Sequence, residues 1–449
     1  MKTYSKRVAF VISAQHTIAH GGIGQFAKGF VEMADRLNWK VDLILDKKPK
    51  DSSFVSMLFS KVGNVYIPPS PMSYAKHSKT FVFNESYNLE KMVNFRDAIM
   101  SAFQENVYDM ILANLPEGLS AAYSLGFAKY IPLVFYSHNQ SIVFRGNKTK
   151  NVFSDEFVEF TRNMCAIDGI YLATQTKRNK LEMDEEGLSN TVVLPMSMPE
   201  RDLLDGYDGE KSGVLFIGRW EEGKNPTEFI RVIRETGLPA KVMTNDKGGA
   251  KFRKALDEIG AEYEIRESVT GEDKVSFIKG SKVMYMPSTQ ESYGFALFEA
   301  IGHCHCVVGA EHEWHKNFSG SGVHAVPKKD VAETIKSLYS SPNPGNLEYV
   351  KEVDSLVDFT WEEFVDAFEP RKSSSNAGQI TKKDDTYYHE FVEGLGRYAS
   401  SEDVITVLAN KHRFKIKYTD EHTWFSTSGN QPRLVEGGAQ ETSLEDWFN

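Results

Sequence analysis

From residue 8 to about 195, short β-branched and aromatic runs alternate with segments of helical period, the pattern of a parallel sheet covered by helices on both faces. Strands are expected at Val8–Ala14, Val41–Leu45, Asp109–Ala113, Leu133–Tyr136, Ile170–Ala173 and Val192–Leu194. After the first of them, Gly21-Gly22-Ile23-Gly24 opens a helix in which Phe26, Phe30, Met33 and Leu37 share one face. The alternation restarts at Gly213–Ile217 and runs through Lys241–Met243, Tyr263–Ile265, Val283–Met286 and Cys306–Val308. A first α/β domain over residues 1–199 and a second, smaller one over 200–358 are therefore expected.

Past residue 360 the pattern changes. Phe359–Val365 reads as one amphipathic helix capped by Thr360 within a segment spanning 359–372, and Lys372-Ser373-Ser374-Ser375-Asn376 reads as a linker. A small α+β module over 377–428 follows, with helices near Tyr387–Tyr398 and Glu402–Lys411 and a hairpin of Arg413–Tyr418 and Thr423–Ser426. Residues 429–449 are too polar to pack until their last few positions and read as a flexible tail.

Composition narrows the choices. Of 449 residues 25% are charged and 41% hydrophobic, which excludes a disordered or collagen-like chain. Fifty-two basic against 62 acidic residues give a net charge of −10, which excludes a general cationic coat for DNA or an anionic membrane. Three cysteines fit a reducing compartment better than a disulfide framework. No stretch approaches the ~18 consecutive apolar residues of a membrane span. The apolar run after Lys6 and Arg7 is cut short by Gln15 and His16, so it reads as a buried strand rather than a signal peptide. The expected location is the cytoplasm, a host's cytoplasm if the protein is viral.

Candidate chemistry lies where strands end. Glu291-Ser292-Tyr293-Gly294-Phe295-Ala296-Leu297-Phe298-Glu299 follows a strand, and the amides of Gly294 and Phe295 at the helix start suit a phosphate. Gly218-Arg219-Trp220-Glu221-Glu222-Gly223-Lys224 presents two cations from one strand-to-helix loop, suited to a diphosphate. In isolation, either segment is also what a solvated surface carries. His303-Cys304-His305-Cys306 contains zinc-type ligands, but strand alternation sends the Cys and the His to opposite faces, so packing at the start of a strand is expected and no metal site is assigned.

Taken in order, the Gly21–Gly24 loop, His138 after Leu133–Tyr136, the Gly218-Arg219 to Lys224 loop, Glu291-x7-Glu299 and the Phe359-Thr360-Trp361 helix resemble the retaining glycosyltransferases of GT-B fold, close in pattern to glycosyltransferase family 4. The resemblance covers roughly residues 7–370. It implies two Rossmann-like domains with a cleft between them, the 359–372 helix crossing back to the first. It also implies a nucleotide-sugar donor, UDP-linked, with no essential metal and no protein nucleophile. Arg219 and Lys224 would hold the diphosphate and Glu299 the ribose. Glu291 and His138 would contact the transferred sugar, and Gly22 and Gly24 would lie near the phosphates. The sequence departs from the family pattern where Cys304 and Cys306 replace the usual Gly and Pro, and where Leu194–Pro199 replaces the usual Asn-Gly at the domain junction.

Two further features bear on the acceptor. Arg145, Lys148 and Lys150 make a cationic loop after His138, which suggests a polyanion, although a solvated loop would look the same. Leu444, Trp447 and Phe448 stand at the spacing of peptides that dock into DNA sliding clamps, or pack on their own protein. Together these resemble bacteriophage DNA-modifying glycosyltransferases acting on hydroxymethylated cytosine. The alternatives are a family 4 type enzyme building a glycan or lipopolysaccharide, and a non-catalytic GT-B nucleic-acid binding protein.

Overall fold

The computed structural model describes residues 4–14, 22–49, 61–69, 89–138, 162–199, 205–289, 291, 293–342 and 345–368, together with three strands between 414 and 435. The described chain falls into two compact units.

The first unit is built on a seven-stranded, all-parallel sheet. Its strands are β1 (Lys6–Val11), β2 (Trp39–Ile44), β3 (Val62–Tyr66), β4 (Met110–Ala113), β5 (Leu133–Tyr136), β6 (Ile170–Thr174) and β7 (Thr191–Val193), in the order β3-β2-β1-β4-β5-β6-β7. Helices α1 (Gly22–Arg36), α2 (Leu89–Glu105), α3 (Pro116–Ser124) and α4 (Lys177–Glu185) connect them. Met110–Ala113 and Leu133–Tyr136 are buried at every position, which is why these strands read as unbroken apolar runs. Of the expected apolar face of α1, Phe26, Phe30 and Met33 are buried, whereas Leu37 lies one residue past the helix and is half-buried.

The second unit carries a six-stranded parallel sheet of β8 (Ser212–Ile217), β9 (Ala240–Thr244), β10 (Tyr263–Glu267), β11 (Ser281–Met286), β12 (His305–Gly309) and β13 (His324–Val326), in the order β10-β9-β8-β11-β12-β13. Its helices are α5 (Pro226–Thr236), α6 (Asp246–Glu258), α7 (Gly271–Lys279), α8 (Phe295–Ile301), α9 (Val331–Tyr339) and α10 (Leu347–Asp366). Both sheets reverse their strand order once, between β1 and β4 in the first and between β8 and β11 in the second.

Several expectations need correction. Edge strands β3 and β13 were not foreseen. In β3, Gly63 and Asn64 interrupt the apolar pattern because Asp42 demands it: the Asn64 amide donates to Asp42 Oδ1 at 2.7 Å, and a Cβ on Gly63 would lie 2.2 Å from that oxygen. Thr360 is not a cap. It lies inside α10, which starts thirteen residues earlier and is capped by Asn346, whose Oδ1 accepts from the Tyr349 amide at 3.1 Å. Among the described residues, 22–30 group with the second unit and 360–368, at the end of α10, with the first.

Within the first unit, Trp361 of α10 is buried, donates from Nε1 to the Pro195 carbonyl at 2.9 Å, and stacks on Tyr136 with ring centroids 6.2 Å apart. The expected hairpin is present as antiparallel β14 (Phe414–Tyr418) and β15 (Thr423–Thr427). A third strand, β16 (Arg433–Val435), pairs with β15 inside the segment expected to be a flexible tail. The two helices expected near 387–411 lie outside the described residues.

Candidate functional site

The second unit gathers the candidate donor residues at the carboxyl ends of β8 and β11. The loop after β8 is fixed by its backbone: the Gly218 amide donates to the Met243 carbonyl (3.0 Å) and the Lys224 amide to the Glu221 carbonyl (3.0 Å). Asn225 takes a left-handed conformation (φ 49°) and hands the chain to α5, with Pro226 at its first position, where a missing N–H costs nothing. The loop after β11 is tied to it by the Thr289 amide, which donates to the Gly223 carbonyl at 3.0 Å.

Across that tie, Lys224 Nζ meets Glu291 Oε1 at 2.5 Å, with the two side chains 28% and 10% exposed. Arg219 behaves differently. Its side chain is 63% exposed and pairs with Glu221 at 3.0 Å. The cation nearer the surface is thus the arginine, and the lysine is set deeper against a carboxylate.

Glu299 is buried on α8 and paired with Lys274 of α7, itself buried, whose Nζ also reaches Gln25 Oε1 at 3.1 Å. Lys274 was not singled out from the sequence. It stands in an ordinary-looking Glu272-Asp273-Lys274 stretch, and only the fold brings it to Glu299.

Gly294 begins α8 with φ 83°, a conformation that disfavours any side chain. A Cβ there would lie 3.1 Å from the Phe318 ring and 3.3 Å from Trp314. Those aromatics are in turn placed by Trp314 Nε1, which donates to the Ser288 carbonyl at 2.9 Å, and by ring contacts of Tyr293 with Phe295, Phe298 and Phe318. An aromatic wall therefore fixes where the helix starts. Thr244 is a second residue that sequence reasoning missed. Its hydroxyl is buried at the end of β9 with no hydrogen-bond partner, beside the strand that carries the cationic loop.

In the first unit His138 follows β5 directly, and its ring lies 5.1 Å from that of Tyr136. Gly22 and Gly24, which group with the second unit, are the first residue of α1 and a buried residue of its first turn. Arg145, Lys148, Lys150, Leu444, Trp447 and Phe448 lie outside the described residues.

His303-Cys304-His305-Cys306 packs as expected. Cys304 and Cys306 are buried, Cys304 Sγ reaches the Ile278 and Ser281 carbonyls at 3.5 Å, and burial pushes the Cys304 thiol up to about 12. No group of three or more His, Cys, Asp or Glu side chains able to hold a metal ion occurs among the described residues. Likewise no helix among them is long and apolar enough to cross a membrane.

No protein-family model matches the sequence, and no curated protein matches it significantly. Solved structures do match in fold. A sucrose-phosphate synthase from Thermosynechococcus elongatus aligns over 80% of this chain and 96% of its own, with a TM-score of 0.60 and 13% identity. The pneumococcal O-GlcNAc transferase GtfA, in complex with UDP and GlcNAc, aligns over 80% of this chain and 98% of its own at a TM-score of 0.57 and 13% identity. Anabaena HepE, in complex with UDP and glucose, aligns over 79% and 95% at 0.56 and 12%. At this level of identity the likeness concerns architecture, and the chain has the fold of the two-domain GT-B glycosyltransferases.

Proposed function

We propose that the chain is a glycosyltransferase that moves a sugar from a UDP-linked donor to an acceptor hydroxyl with retention of configuration. The observation that carries this reading is the pair of cation–carboxylate contacts flanking the start of α8, Lys224 with Glu291 and Lys274 with Glu299. Each presents a carboxylate oriented by a lysine, one suited to sugar hydroxyls and the other to ribose. As the bond from the sugar to the phosphate lengthens, charge builds on the departing diphosphate. Arg219, Lys224 and the amides at the start of α8 oppose that charge. The acceptor oxygen bonds to the sugar on the face the phosphate leaves, and its proton passes to the phosphate oxygen. His138 contacts the transferred sugar in this scheme. The presence of UDP in the HepE and GtfA structures of the same fold supports the choice of donor.

The sequence-based acceptor, hydroxymethylated cytosine in bacteriophage DNA with a sliding clamp as partner, rests on Arg145, Lys148, Lys150, Leu444, Trp447 and Phe448 alone. A glycan or lipopolysaccharide hydroxyl is the competing acceptor. Incubation of the full chain with UDP-glucose, UDP-galactose and UDP-GlcNAc, together with hydroxymethylcytosine DNA or an oligosaccharide mixture, separates them by mass spectrometry. Added hexose or N-acetylhexosamine on either acceptor is the expected result. DNA binding with every donor left intact would make the chain a non-catalytic binding protein and refute the proposal.

A further inference from the structure

The first part of α1, residues 22–30, groups with the second unit, and two contacts show how it is held. Gln25 Oε1 accepts from Lys274 Nζ at 3.1 Å. One helical turn further on, a Cβ on Gly29 would lie 2.2 Å from the Ser197 carbonyl oxygen, so only glycine lets the helix backbone come that close. Residues four apart share a face of a helix, and Gln25 and Gly29 therefore mark the face of α1 that meets Lys274 and Ser197.

Among Glu272, Asp273 and Lys274 in the first turn of α7, the two acids are exposed and only the lysine is buried. A lysine is almost never buried unless it is paired. Its partners Glu299 and Gln25 differ in kind: the first supplies the opposite charge, and the second supplies an acceptor without bringing another carboxylate to the same ammonium. A single partner would fix how far the ammonium stands from Glu299 but not its direction, since the lysine stem is flexible and its three N–H groups rotate. The second acceptor, approaching from α1, fixes the direction. Gln25 also follows Gly22-Ile23-Gly24 without a break, so the glycines proposed to lie near the phosphates and the side chain that reaches Lys274 share one turn of helix.

We infer that Gln25 is a positioning residue for donor binding. Its carboxamide steadies the Lys274 ammonium, Lys274 steadies the Glu299 carboxylate, and the hold of Glu299 on ribose therefore depends on the first turn of α1. The inference rests on the glycosyltransferase reading, which gives ribose to Glu299, and adds the residue that sets how well the site tells a ribonucleotide from its deoxy analogue. The test is calorimetric titration of UDP, and of the dideoxyribose analogue of UDP, into the full chain and into Gln25→Met, which keeps the length of the side chain and removes the carboxamide. The wild type should bind UDP about 10-fold or more tightly than the analogue, and Gln25→Met should narrow that ratio about 3-fold or more by weakening UDP while leaving the analogue within about 2-fold. An unmoved ratio overturns the inference, and so does equal weakening of both nucleotides, which would mean that Gln25 only holds the helix. Failure of the wild type to bind either nucleotide would instead refute the glycosyltransferase reading, and the inference would fall with it. Melting temperatures test the contact with no nucleotide present: Gln25→Met should melt lower than the wild type, whereas adding it to Lys274→Met should change nothing further. Equal drops in the two backgrounds would show that Gln25 does not act through Lys274, and would overturn the inference whatever UDP does.

Discussion

Replacing Lys274 by Met isolates the contact that sequence motifs did not show. The Lys274 and Glu299 side chains are 7% and 4% exposed, so neither charge has water to fall back on once its partner is gone. Lys274→Met keeps the length of the stem and removes the ammonium that the buried Glu299 carboxylate faces. Breaking one side of a buried pair costs about 3–5 kcal/mol. At about 2–4 °C per kcal/mol for a unit of this size, the variant should melt roughly 6–20 °C lower. Adding Glu299→Leu removes the stranded charge, and most of that loss should return, because an apolar replacement of a whole buried pair is often neutral or better. Affinity for UDP should not return with it, since the carboxylate proposed to hold ribose is gone. Urea unfolding followed by the fluorescence of Trp220 and Trp314 reads stability, and calorimetry with UDP reads binding. A Lys274→Met protein within about 1 kcal/mol of wild type would refute the burial argument. A double variant that binds UDP normally would refute the role given to Glu299.

Lys224→Ala should lower turnover of the UDP-sugar by ~10²-fold or more, as expected for loss of a group that stabilises developing charge, while wild-type turnover survives EDTA; abolition by EDTA would displace the two-cation account. Gly294→Ala forces a side chain into φ 83° beside Phe318 and should cost about 1–3 kcal/mol, measured as a lower melting temperature. Burial, then the neighbouring His324 and Lys282, hold His305 below its ordinary pKa of 6.5. The unfolded chain therefore binds that proton more readily than the folded one, so stability should fall as pH drops through and below about 6.5, and His305→Asn should flatten that slope in urea titrations between pH 7 and 5. An unchanged slope would mean that His305 does not titrate differently in the two states.

Legibility of the fold followed burial. Central strands such as Leu133–Tyr136, enclosed on both faces, announced themselves as apolar runs and were placed to the residue. Two of the four edge strands, β3 and β13, did not. The burial of β13 is confined to Val326, and β3 spends its middle on Gly63 and Asn64 for the sake of Asp42, which is 22 positions from Asn64 in sequence. The helix α10 was misjudged at its start for a related reason: Thr360 is a good capping residue by type, but the true cap is Asn346. The buried face of the helix is carried by Val350, Val357 and Trp361 and interrupted by buried Asp354, while apolar Leu356 and Phe359 are exposed away from it.

The candidate site was legible as a set of residues and not as a set of contacts. The family resemblance implied diphosphate for Lys224 and the sugar for Glu291 as separate roles, whereas the fold places one against the other at 2.5 Å. The two roles are compatible only because an ammonium carries three N–H donors. One is committed to Glu291, which fixes both the lysine's direction and the carboxylate's, and two remain for phosphate oxygens. Arg219, mostly exposed and paired with Glu221 on its own loop, can turn to a ligand at little cost. Lys224 is therefore the pre-positioned cation and Arg219 the adaptable one. On this argument Glu291→Gln should weaken the hold on Lys224 and raise KM for the UDP-sugar as well as lowering kcat. Arg219→Lys, which keeps the charge, should change KM more than kcat. Equal losses in kcat alone for both variants, from steady-state rates across donor concentrations, would show that neither cation is positioned before the donor arrives.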